Sequence, residues 1–167
     1  MANEPLIAVI MGSESDFDVM NKAIECLKQL KVPFEVDIVS AHRTPEKMFE
    51  YASGLYKRNF SAVIAGAGGA AHLPGMIASL TILPVIGVPI SSTKMQGLDS
   101  LYSIVQMPAG VPVATVAIDN AENAAILATQ ILLRAHTRFV DNLERFRLER
   151  KNKVLNSSEK RKFTFID

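Results

Sequence analysis

The sequence predicts an α/β protein built as a three-layer α/β/α sandwich around a parallel sheet. Five short apolar runs of strand length alternate with segments whose apolar residues recur at helical spacing. The runs are apolar on both faces, which is typical of parallel strands covered by helices on each side. Right-handed crossovers and a count of five strands favour the flavodoxin-like order 2-1-3-4-5, with an extra C-terminal helix. In this order, ligands bind at the carboxyl ends of the strands, near the switch point between strands 1 and 3.

The strands are predicted where a continuous apolar run stops at glycine, proline or serine, because these residues favour turns. The predicted ranges are 6–11, 34–39, 60–65, 83–88 and 111–118.

Each strand is followed by a segment with helical periodicity or a helix start signal. Thr44 before Pro45, for example, is an N-cap residue followed by proline at the first helical position. The predicted helices cover about 19–30, 45–58, 73–80, 97–106, 120–136 and 137–155. The last of them carries Phe139, Leu143 and Phe146 on one face, and this apolar stripe predicts contact with a neighbouring subunit. Residues 1–155 are expected to form one domain, and residues 156–167 a flexible tail.

Composition restricts the function classes. A chain of 167 residues with 49% hydrophobic and 21% charged residues is typical of one globular domain. Cys26 has no partner for an internal disulfide, and no segment resembles an export signal or a membrane span, so we expect a cytoplasmic protein without membrane contact. Residues 138–167 hold nine Lys/Arg against five Asp/Glu, a net charge of +4. A nucleic-acid partner would use such a segment, but a solvated helical face or an oligomer contact is commoner, and no nucleic-acid-binding motif is found.

Polar side chains follow the first strand in the run Gly12-Ser13-Glu14-Ser15-Asp16. Small hydroxyls at a helix N-terminus suit an anion such as phosphate, although Ser13 or Ser15 could simply cap the helix. Asp16 is suited to hold sugar hydroxyls, or alternatively to complement the helix dipole.

The second strand ends in Ser40-Ala41-His42-Arg43. Arg43 is a candidate for bidentate phosphate binding, and His42 for proton transfer, because its usual pKa lies near neutrality.

The third strand leads into a glycine-rich stretch, Gly66-Ala67-Gly68-Gly69-Ala70-Ala71, before His72 and Leu73. Glycine is required where the backbone takes φ > 0 or approaches another molecule closely. The stretch predicts a main-chain ligand site, or else a crowded turn without ligand. His72 could equally bind a ligand or order the loop through a backbone hydrogen bond. The three histidines and one cysteine show no metal-ligand spacing.

Four motifs together resemble the class I N5-carboxyaminoimidazole ribonucleotide mutases of de novo purine biosynthesis. The resemblance extends over about residues 7–134. The motifs are Gly12-Ser13-x-Ser15-Asp16, Ser40 to Pro45, Gly66 to Met76 and Asp99 to Pro108. The resemblance implies that a carboxylate moves from an exocyclic nitrogen to carbon 4 of an imidazole ribonucleotide, without metal or other cofactor. It also implies a homo-octamer that acts after an ATP-dependent synthetase.

The resemblance also implies roles for individual residues. Ser15, Ser40 and Arg43 would hold the 5′-phosphate, Asp16 the ribose hydroxyls, and His42 would be the acid/base group. The expected substrate-binding set is Ser13, Ser15, Asp16, Ser40, Ala41, Arg43, Gly68, Gly69, Ala70, His72 and Leu73. Two alternatives remain open: a class II carboxylase that uses aminoimidazole ribonucleotide and free CO2, and a non-catalytic nucleotide-binding module.

Overall fold

The computed structural model describes residues 6–91 and 94–163. Its centre is a sheet of five parallel strands in the order β2-β1-β3-β4-β5, which confirms the predicted topology. The strands are β1 Leu6–Met11, β2 Phe34–Ile38, β3 Phe60–Gly68, β4 Val85–Ile90 and β5 Ala114–Thr115.

Helices cover both faces of this sheet. They are α1 Phe17–Gln29, α2 Pro45–Gly54, α3 Leu73–Leu80, α4 Leu98–Val105, α5 Ala121–Leu132 and α6 Val140–Arg161. Single 3-10 turns precede α1, at Glu14–Asp16, and α6, at Thr137–Phe139. Within the described ranges, no helix has both the length and the apolar character needed to cross a membrane.

The sheet separates two hydrophobic cores. Side chains alternate along β1, so that Ile7 and Val9 face the core formed with α1 and α5, while Ala8 and Ile10 face the core formed with α2, α3 and α4. Burial on both faces explains the continuous apolar strands, and it confirms the three-layer arrangement.

Several element boundaries differ from the predicted ones. β3 continues to Gly68 because Gly66, Ala67 and Gly68 pair with β4, which itself runs through Pro89 instead of stopping before it. β5 has two residues and pairs only with Ile86 and Gly87. The helices α2 and α5 end earlier than expected.

The C-terminal helix differs from the sequence-based expectation in its packing and its length. Phe139, Leu143 and Phe146 are buried in the core of their own chain, together with Leu30 and Leu132, so this stripe needs no neighbouring subunit. The helix also continues to Arg161 through residues predicted to be a loose tail. Residues 164–167 lie outside the described residues.

Candidate active site

A cavity of about 690 Å³ opens at the carboxyl ends of the strands, next to the β1/β3 switch point. The segments after β1, β2 and β3 form most of its wall, and the end of β4 completes it. The lining residues are Gly12, Ser15, Asp16, Ser40, Ala41, His42, Arg43, Ala67, Gly68, Gly69, Ala70, His72, Leu73, Ile90 and Ser91. Every predicted site residue except Ser13 is among them. Gly12 and Ala67 belong to the predicted polar and glycine-rich segments but not to the expected substrate-binding set, and no sequence signal indicated Ile90 and Ser91.

The segment after β1 places a buried carboxylate in the cavity wall. Asp16 is 8% exposed, and burial raises the pKa of its carboxyl above the usual value of 3.8. Hydrogen bonds from Ser13, Ser15 and Gly12, and the charge of Arg43, act in the opposite direction without cancelling the effect of burial. Ser13 precedes the 3-10 turn but makes no side-chain cap hydrogen bond. A buried acceptor of this kind suits ligand hydroxyl groups.

Arg43 connects the ends of β1 and β2. Its Nη2 donates to the carbonyl oxygen of Gly12 at 2.8 Å, and its Nε donates to Ser40 Oγ at 3.2 Å. The Ser40 hydroxyl also accepts a hydrogen bond from the Arg43 backbone N–H at 3.3 Å. These contacts fix the guanidinium on the cavity wall, where an anion finds its charge already oriented.

The two histidines of the site contact each other. His42 Nε2 lies 2.8 Å from His72 Nδ1, and the ring planes are nearly perpendicular, at 81°. Such a hydrogen bond requires a proton on one of these nitrogens and a lone pair on the other. His72 Nδ1 therefore holds the His42 ring, a role that differs from the backbone hydrogen bond considered from the sequence.

The glycine-rich stretch forms a strand end followed by a tight turn. Gly69 has φ +63°, the left-handed region that favours glycine. Its N–H donates to Ser100 Oγ at 2.9 Å, and the Ser100 hydroxyl donates to the carbonyl oxygen of Ile90 at 2.7 Å. Ser100 is fully buried. Ser100 was not predicted as a site residue. One signal was available in the sequence: Ser100 lies four residues before Ile104, on the same buried face of α4, and a buried hydroxyl needs a hydrogen-bond partner.

A family model described as AIR carboxylase matches residues 6–153 of the chain. The chain belongs to the AIR carboxylase family. The N5-carboxyaminoimidazole ribonucleotide mutase of Pyrococcus horikoshii is 57% identical to it over 153 residues, which span 92% of this chain and 86% of that relative. The protein of the same name from Saccharolobus solfataricus is also 57% identical over 153 residues and is covered to 97%.

Solved structures of the AIR carboxylase family share the fold. PurE from Treponema denticola superposes with a TM-score of 0.83 at 28% identity, covering 96% of this chain and 100% of that one. A longer relative, the phosphoribosylaminoimidazole carboxylase of Saccharomyces cerevisiae, is 54% identical over 157 residues, which make up 94% of this chain but 28% of the yeast protein.

Proposed function

We propose that this chain is a class I N5-carboxyaminoimidazole ribonucleotide mutase of de novo purine biosynthesis. It converts N5-carboxyaminoimidazole ribonucleotide into 4-carboxy-5-aminoimidazole ribonucleotide. The observation that carries the proposal is the single cavity in which Arg43, the His42–His72 pair and the Gly69 turn meet, in a member of a family whose similar relatives bear this name.

The cavity wall supports a defined orientation of the ribonucleotide. Arg43, Ser40 and Ser15 form its polar side and receive the 5′-phosphate, because a fixed guanidinium and two hydroxyls bind phosphate oxygens well. Asp16 accepts hydrogen bonds from the ribose. The imidazole base then extends towards His42 and the Gly69 turn.

The reaction requires one proton to move in each direction. When the exocyclic N–C bond breaks, its electron pair returns to nitrogen, which takes up a proton, and neutral CO2 leaves. Carbon 4 of the ring then attacks CO2 and gives up its own proton. A single acid/base group therefore suffices, and we assign both transfers to His42, whose ring His72 holds at 2.8 Å.

The enclosing wall contributes through proximity. CO2 is neutral and has no hydrogen-bond donor, so the protein binds it weakly. Its recapture therefore depends on keeping it beside carbon 4 in a confined space. Gly68, Gly69 and Ala70 line the cavity with backbone and small side chains, which leaves room for the migrating group.

A paired assay tests the activity. One reaction receives N5-carboxyaminoimidazole ribonucleotide, and the other receives aminoimidazole ribonucleotide with bicarbonate; both are followed by ultraviolet absorbance of the ring-carboxylated product. We expect fast conversion of the first substrate and slow, bicarbonate-dependent conversion of the second. The opposite preference would assign the chain to direct carboxylation, and no conversion of either substrate would leave a non-catalytic nucleotide-binding domain.

His42→Asn tests the assignment of the proton transfers. We expect turnover to fall by about 10²–10⁴-fold, because the group that moves the proton is gone. Binding of the carboxylated product, measured by calorimetry, should change little. His136→Asn is the matched control, since His136 is half-buried and lies outside the cavity. Turnover near the wild-type rate in His42→Asn would contradict the role of His42.

The location, assembly and substrate supply of the enzyme are also part of the proposed function. We propose that the chain works in the cytoplasm as a homo-octamer, and that an ATP-dependent carboxyaminoimidazole ribonucleotide synthetase supplies its substrate. Exposed apolar side chains on the outer half of α6, including Val154 at 69% and Leu155 at 50% exposure, support assembly with further copies.

A further inference from the structure

Ser100 occupies the junction beneath the Gly69 turn. It belongs to α4, is 0% exposed, and its hydroxyl connects the ends of two neighbouring strands. The hydroxyl accepts from Gly69 N–H at 2.9 Å and donates to the Ile90 carbonyl oxygen at 2.7 Å. Because its only proton is committed to Ile90, and because it is enclosed by protein, Ser100 does not contact the ligand in the cavity.

On its open side, the turn above Ser100 faces the cavity. A carbon placed at the Cβ position of Gly69 would meet no atom within 4 Å, and Gly69 itself holds a left-handed conformation at φ +63°. Gly68, one residue earlier, lies against the Ile90 carbonyl oxygen, which a Cβ would approach to 3.4 Å. Strand pairing with Ile90 of β4 holds the chain as far as Gly68, and the hydrogen bond to Ser100 then ties Gly69 to α4 and, through the same hydroxyl, to the end of β4.

We propose that Ser100 is a positioning residue that keeps the Gly69–Ala70 turn closed over the carboxylate end of the cavity. It acts through Gly69, whose backbone lines the compartment in which CO2 waits for recapture. This inference rests on the proposed function. It gives a role to the Asp99–Pro108 motif, which otherwise lies outside the substrate contacts.

Bound aminoimidazole ribonucleotide and CO2 have two possible fates. In the productive one, carbon 4 forms a bond to CO2 and loses its proton. In the leak, N5-carboxyaminoimidazole ribonucleotide and one proton give aminoimidazole ribonucleotide and CO2, both of which leave the enzyme. A loosened turn increases the leak relative to product formation. A substitution that merely lowers the amount of folded enzyme reduces both fates equally, so their ratio reports the position of the turn.

The experiment uses the full chain with Ser100→Ala, and chromatography quantifies aminoimidazole ribonucleotide and carboxylated product after subtraction of the enzyme-free rate. Loss of the hydroxyl leaves Gly69 N–H and the Ile90 carbonyl without this partner. We expect kcat to fall by roughly tenfold to a hundredfold and the leak-to-product ratio to rise by at least about tenfold. KM should change by less than about threefold, because the phosphate contacts are unaltered.

Ser103→Ala is the matched control. Ser103 lies on the same helix and is half-buried, and its hydroxyl donates to the Asp99 carbonyl oxygen at 2.7 Å within the helix, away from the turn. We expect a wild-type ratio for it. If Ser100→Ala yields too little soluble enzyme, Ser100→Cys, which keeps a weaker donor of similar shape, should give an intermediate ratio.

A wild-type ratio in Ser100→Ala or, where that variant is insoluble, in Ser100→Cys would overturn the inference, even with a lower rate. An equal increase of the ratio in Ser103→Ala would also overturn it, because the effect would then belong to α4 as a whole. Failure of the proposed function has a different signature: the wild type itself would form no carboxylated product.

Discussion

Asp16 combines a cost to folding with the role in ribose binding that we propose for it. Asp16 is 8% exposed, and burial raises the pKa of its carboxyl above 3.8 despite hydrogen bonds from the neighbouring backbone and the charge of Arg43. A group whose folded pKa lies above its unfolded pKa binds protons more tightly in the folded state. Its ionisation therefore destabilises the fold as pH rises through that window.

Asp16→Asn should reveal this cost. Well below the unfolded pKa of about 3.8, the Asp16 carboxyl is neutral in both the folded and the unfolded chain. Its ionisation then contributes nothing to the stability difference between wild type and variant. As pH rises from there through the higher folded pKa, the wild type loses stability relative to the variant. Urea unfolding at pH 3 and pH 7 should show the variant gaining on the wild type, while KM rises by about fivefold to tenfold because the charged acceptor that we propose for the ribose is lost.

A stability difference that is the same at both pH values would show that the buried carboxyl carries no such cost. Ser15→Ala is a useful comparison, since it removes one hydrogen bond to the carboxylate and keeps the charge. Its stability should fall relative to the wild type at pH 7, whereas Asp16→Asn should gain on the wild type as the pH rises.

Single residues at the strand ends could be predicted from the sequence because polarity after an apolar run is a local signal. Asp16, His42 and Arg43 stand where that signal placed them, and all three line the cavity. Ser100 could not be assigned a contact, since its partner Gly69 is 31 residues away and the pairing depends on how α4 packs beneath the turn. The His42–His72 hydrogen bond is likewise a product of two chain segments meeting.

At the scale of elements, adding a methyl group has opposite expected effects on stability at Gly66 in a strand and at Gly54 in a helix. Gly66 lies in β3 beside Met11, and a Cβ there would overlap the Sδ of Met20 on α1. Gly54 closes α2, and a Cβ there would lie 3.8 Å from Arg58 Cδ, an ordinary contact. The first glycine is required for close packing of α1 on the sheet, and the second is not.

Gly66→Ala should lower the free energy of unfolding by about 1–3 kcal/mol, because the extra methyl group overpacks a buried site. Gly54→Ala, the same chemical change, should raise it by about 0.4–1 kcal/mol through the reduced entropy of the unfolded chain. Urea midpoints with unchanged slopes measure both. A neutral Gly66→Ala would mean that Met20 moves aside freely.

The boundaries of elements were harder to predict than their existence. β3 and β4 extend past glycine and proline because their neighbours in the sheet pair with them, and Pro89 accepts a hydrogen bond from Asp119 N–H at 2.9 Å while donating none. At the sheet edge the opposite holds. β5 keeps two paired residues, Ala114 and Thr115, because Pro112 between Val111 and Val113 has no N–H to donate and interrupts the predicted strand.

For the whole molecule, the handedness of crossovers reduces the possible strand orders so far that alternation of elements was enough to predict β2-β1-β3-β4-β5. The order in turn brings three loops to one edge. The surface against which α6 packs could not be predicted in the same way, because an amphipathic sequence shows that a helix has an apolar face but not which surface covers it. Its inner half packs on its own chain, and residues 147–163 are exposed.

This outer half of α6 provides the last test, because assembly through it is part of the proposed function. Val154→Glu with Leu155→Glu places two charges among side chains that are 69% and 50% exposed in a single chain. If further copies cover them, burial of unpaired carboxylates opposes association, and light scattering should give a mass below the octamer. Asn152→Glu with Asn156→Glu adds the same charge to exposed polar positions of the helix and should leave the mass less affected. Equal masses for the wild type and both double variants would exclude α6 from the interface.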